Sequence, residues 1–140
     1  MAIIYYFISV VWTAEEFSSM NEDYELCLKI CRYFTRDGIG FPANKTAHDL
    51  LQDAEFDGVS EEKLVFNLYR CKQAGLLEAS ITLVPDNTGI RISVNHIIGL
   101  TGRGQSFALD SDEAMNQVLE NIRNKRYAVT LERIVEEMWR

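Results

Sequence analysis

The chain has 140 residues, a length that suits one domain built on one core. Hydrophobic residues make up 47% and charged residues 25%, as in an ordinary globular protein. The formal net charge of -7 argues against a general affinity for phosphate backbones, which rests on Lys and Arg.

The chain opens with Met1-Ala-Ile-Ile-Tyr-Tyr-Phe-Ile-Ser-Val-Val-Trp12, an apolar run without a charge. It falls short of the roughly 20 residues that span a bilayer. It also lacks the basic start and small-residue cleavage site of a signal peptide, so no membrane role is expected. β-Branched and aromatic residues point to a buried strand, and a helix packed on a partner subunit is the alternative. Such a run needs cover, from its own core or from a second copy; a homodimer is expected.

Thr13-Ala-Glu-Glu16 and Ser19-Met-Asn-Glu22 both have capping-box spacing. A helix over 20–35 follows, with Tyr24, Cys27, Leu28, Cys31 and Phe34 on one stripe and Leu26, Ile30 and Tyr33 widening it. Cys27 and Cys31 lie one turn apart, within reach of a shared metal. With no second pair and no nearby His, small buried hydrophobes are the better reading, Cys71 included. An odd count of three suits a reducing cytosol.

Asp37-Gly-Ile-Gly-Phe-Pro42 breaks the chain. It lacks the flanking strand and Lys-Ser or Lys-Thr of a phosphate cradle. A short helix over 45–54 comes next, capped by Asn44 or Thr46, with Ala47, Leu50 and Leu51 inward. Glu55 to Val59 form a turn, and Ser60 caps a helix over 60–74 that Gly75 stops. Leu64, Leu68 and Cys71 mark its buried stripe, beside Val65. Its opposite side carries Glu62, Phe66, Tyr69 and Gln73, flanked by Lys63 and Arg70. The two aromatics there pack under the N-terminal segment or meet a partner.

Ile81 and Leu83, then Ile90, Ile92 and Val94, alternate with polar residues around Pro85-Asp-Asn-Thr-Gly89, as in a half-buried hairpin. His48 and His96 each stand alone, without the company of a base or ligand set. Leu100 to Phe107 lead into a short helix. Asp110 or Ser111 caps the next, striped by Met115, Val118, Leu119 and Ile122. A basic link over 124–127 precedes a last helix, capped by Thr130, with Leu131, Ile134, Val135 and Met138 inward.

Helix, Ala74-Gly75-Leu76-Leu77 and hairpin look like the third helix and wing of a winged helix-turn-helix. The expected fold is mostly α with a small β-hairpin (α+β): an apolar extension over 1–19, the winged helix over 20–109 and two helices over 110–140. From Met20 onward the chain also resembles an uncharacterised family of small phage and prophage proteins. Ala74-Gly75-Leu76-Leu77 and Leu100-Thr101-Gly102-Arg103-Gly104-Gln105-Ser106-Phe107 carry that resemblance. Gly102, Gln105 and Asn67 depart from the family's Trp, His and His. The resemblance implies a winged helix from a mobile element and no activity. Met20 sits where such proteins start, so residues 1–19 are an extension of this chain or reflect an upstream start.

No nucleophile–base pair, metal cluster or nucleotide motif is present, so no catalytic residues, metal or cofactor are expected. The first expectation is a cytoplasmic transcriptional regulator that binds duplex DNA. Lys63, Asn67, Arg70 and Gln73 would read bases or phosphates, and Arg91 and Lys45 would hold the backbone. Phe66 and Tyr69 would add partner contacts. Against it stand Glu61 and Glu62 at the reading end of the helix, the acidic wing tip and the negative charge. The alternative is an acidic protein-binding winged helix that inhibits a host enzyme or defence complex, in the manner of an anti-CRISPR. The fold alone does not choose between them.

Overall fold

In a computed structural model, the described residues are 7–87, 89–110 and 112–139. Among them are seven α-helices and a three-stranded antiparallel sheet, an α+β arrangement. Strand β1 spans Ile8–Trp12, and helices α1 and α2 span Ala14–Ser19 and Tyr24–Tyr33. Helix α3 spans Ala47–Leu51 and is followed by a single 3₁₀ turn, Ala54–Phe56. Helix α4 spans Glu61–Gln73, and the hairpin strands are β2, Leu77–Asp86, and β3, Gly89–Leu100. Helices α5, Gly102–Leu109, α6, Asp112–Asn124, and α7, Leu131–Met138, complete the chain.

Short side chains fix most helix starts. Thr13 and Thr46 form full capping boxes with Glu16 and Asp49. Asp23, Ser60, Thr101 and Thr130 cap α2, α4, α5 and α7. Ser111, a candidate cap for α6, lies outside the described residues. Two expectations need correcting. The Ser19–Glu22 box does not form, because the Glu22 carboxylate is used elsewhere and Asp23 starts the helix. The 100–107 segment is not a lead-in: it is mostly helix α5 itself.

The described part of the N-terminal run supplies an edge strand rather than a helix, residues 1–6 lying outside the described residues. β1 pairs antiparallel with β3 over its whole length, from Ile8 opposite Val94 to Trp12 opposite Ile90, and the sheet order is β1-β3-β2. The end of β1 presses on the hairpin: a Cβ on Gly89 (φ +151) would lie 1.9 Å from the Trp12 carbonyl oxygen. A single backbone bridge, Lys45 to Ile97, ties the approach to α3 onto the far end of β3. Buried residues from Val10 to Val135 form one cluster, so the terminal segments share the central core.

The two segments that stood out in the sequence touch each other. Gly75 ends α4 in the left-handed region (φ +78). Its carbonyl accepts from the Thr101 hydroxyl, while Thr101 N–H donates to the Leu76 carbonyl at 3.1 Å. A Cβ on Gly104 would sit 2.1 Å from that same Leu76 carbonyl, so only glycine lets α5 approach this closely. Phe107, one turn on, is fully buried.

Candidate macromolecular interface

The eight residues singled out for partner contact are spread over three places. Phe66, Tyr69, Arg70 and Gln73 line one groove of about 460 Å³ together with Phe17, Met20 and Leu83. Lys63 and Asn67 lie nearer the start of α4. Lys45 and Arg91 belong to the sheet side: Lys45 is half-buried at the bridge to Ile97, and Arg91 is exposed, 3.9 Å from Asp86.

The expected outward side of α4 is largely covered. Phe66 is 6% exposed, enclosed edge-on by Trp12 and by Phe17, whose ring centroid is 5.7 Å away. Aromatic edges prefer this geometry, and it locks β1 and α1 onto the helix. Asn67 is completely buried. Its Oδ1 accepts from Asp23 N–H at 2.9 Å and its Nδ2 donates to the Lys63 carbonyl at 2.9 Å, so the amide faces inward, out of reach of a base edge. Phe66 as an outward contact and Asn67 as a base reader are therefore corrected. The signal for Asn67 was present, since 64, 67, 68 and 71 share one helical stripe.

Arg70 is held just as firmly. Its guanidinium pairs with Glu22 and Glu132 and donates to the Gln73 amide oxygen. Gln73 in turn donates to the Tyr69 hydroxyl at 2.7 Å. The other oxygen of Glu22 accepts from the Leu131 N–H at 3.0 Å, at the positive end of α7. One carboxylate thus joins the α1–α2 link, α4 and α7. Capping spacing alone hid this role.

Lys63 reaches Asp23 at 3.0 Å. Burial would raise the Asp23 pKa, but the Leu26 N–H and the Lys63 ammonium outweigh it and hold the carboxyl below its usual range. Lys63 apart, the exposed charge around the start of α4 is acidic. Asp49, Glu55, Asp57, Glu61 and Glu62 all face solvent. Asp53 makes a two-pronged pair with Arg36, at 2.6 and 3.1 Å, and that bond depresses its pKa.

Cys27, Cys31 and Cys71 are free, buried thiols between α2 and α4. Burial, then contact with the other two, pushes the Cys71 thiol well above its usual range. Among the described residues no group of His, Cys, Asp and Glu is arranged to hold a metal ion, and no helix is long and apolar enough to cross a membrane. No protein-family model, curated protein or solved structure gives a significant match to the chain.

Proposed function

We propose that the chain is a non-enzymatic winged helix that binds another protein instead of reading duplex DNA. The winged-helix reading is supported by element order: α2, the Lys45–Ile97 bridge, α3, α4, then the β2–β3 hairpin. One observation carries the choice of partner. A reading helix must enter the major groove with its far side bare. Here that side of α4 is packed against Trp12 and Phe17, and Arg70 is committed to Glu22 and Glu132.

The remaining edge, from α3 to the first turn of α4, carries carboxylates where a DNA binder needs cations. Carboxylates so placed suit a basic face on a protein that handles nucleic acid, where they stand in for phosphates. A mobile-element inhibitor of a host enzyme or defence complex fits that description.

Two measurements test the reading. Fluorescence anisotropy with random and promoter duplexes at low salt is expected to show binding no tighter than about 10⁻⁴ M. Capture from a bacterial lysate by the immobilised chain is expected to be lost when Glu61 and Glu62 are both changed to Lys. Saturable duplex binding that weakens steeply with salt would overturn the proposal. So would capture that survives the charge reversal.

A further inference from the structure

We infer that the outer edge of β1, free among the described residues, pairs antiparallel with β1 of a second copy, extending the sheet to six strands across a two-fold axis. This inference is independent of the choice between DNA and protein partners.

The two edges of the sheet differ in how they are protected. β2, one edge, carries Glu78 and Pro85, and its pairing shifts register between Glu78 and Ala79 and between Ser80 and Ile81. Lys72 also donates its ammonium to the Ile81 carbonyl at 3.0 Å. Proline, charge and irregular register are the devices that discourage a further strand. β1, the other edge, has none of them. Ile8-Ser9-Val10-Val11-Trp12 contains no charge and no proline, and keeps unbroken register with β3.

The chemistry of this edge selects its occupant. An unpaired strand offers backbone N–H and C=O groups, which an extended backbone satisfies. The first twelve residues hold no charged side chain in a chain that carries -7. A second copy presents the same uncharged strand, so no charge is stranded at the seam. Its side chains also match. On the face away from the helices, Phe7 is 60% and Val11 44% exposed, with Ser9 between them. Antiparallel pairing centred on Ser9 sets Phe7 of each copy opposite Val11 of the other. An aromatic residue facing a β-branched one is a favourable cross-strand pair, and symmetry provides two.

Three variants test the seam in the full chain. Light scattering of the unaltered protein at about 100 µM, well above a micromolar dissociation constant, is expected to give twice the 16.1 kDa of one chain. Val11→Lys, at an exposed position, is expected to halve that mass without changing the circular dichroism spectrum. With oxidised glutathione as the electron acceptor, Ser9→Cys is expected to give a covalent dimer, because facing Cα atoms in such a pair lie within disulfide reach. Thr82→Cys, on the same sheet face at the other edge, is expected to give none. A one-chain mass for the unaltered protein overturns the inference. Undiminished mass in Val11→Lys, or equal cross-linking of the two cysteine variants, overturns it too.

Discussion

Phe66 meets Trp12 edge-on, with ring centroids 6.4 Å apart and planes at 74°. This contact joins the first strand to the fourth helix across more than a third of the sequence. Both rings are buried, and Phe17 packs edge-on to each of them. Trp12→Ala is expected to lower stability by about 3–5 kcal/mol, because a large side chain leaves a void its neighbours cannot fill. Val84→Ala, exposed on β2 at the other edge of the sheet, is expected to cost less than about 1 kcal/mol. Urea denaturation of both variants checks the contrast.

Removing Arg70 would leave Glu22 half-buried with one backbone donor. Arg70→Ala is expected to cost about 1–3 kcal/mol, most of it from the abandoned carboxylate. Glu22→Gln in the same chain is expected to restore part of the loss, because a neutral amide still accepts from Leu131 N–H. A double-mutant cycle by denaturant unfolding measures this coupling. Additive losses would show that the two side chains act separately.

Acid is expected to weaken the fold through Asp23 and Asp53. Both are held below the ordinary aspartate value of 3.8 when folded. A depressed folded pKa gives stability that is complete above the unfolded value and lost as pH falls through the folded one. Melting temperature should therefore be flat in mildly acidic solution and drop below about pH 4. Asp23→Asn keeps a capping oxygen but cannot titrate, so its melting curve should fall less steeply across that window.

The three cysteines are expected to be inert in the folded protein. Burial keeps the Cys71 thiol protonated, and the thiolate is the reactive form. A chromogenic disulfide reagent should label none of the three thiols in buffer and all three in denaturant. Cys71→Ser should destabilise more than Cys71→Ala, since a hydroxyl in that setting lacks the weak polarity of sulfur.

Much of the architecture was legible because local chemistry determined it. Ser60 and Gly75 bracket α4, and Thr46 and Thr130 start α3 and α7, each through a side-chain or backbone preference that needs no distant partner. Two-residue alternation gave the hairpin, though β3 runs on to Leu100 through the bridge to Lys45. A short helix was expected here, but the start of α5 was placed too late because Gly102 and Gly104 are poor helix formers. Gly104 is there for the Leu76 carbonyl, a contact that periodicity cannot register. The candidate site was less legible for a similar reason. Helix α4 is apolar on more than one side, and only tertiary structure decides which second layer covers Phe66. Asn67 and Arg70 look like readers of a ligand until Asp23 and Glu22 are found beside them.

Because the Trp12 carbonyl lies where a Gly89 side chain would go, strand and hairpin share one mould. The arm is braced near its tip as well as at its root, and behaves as a plank rather than a finger. A plank does not curl to follow a helical groove, and change at position 89 would have to be matched at Trp12.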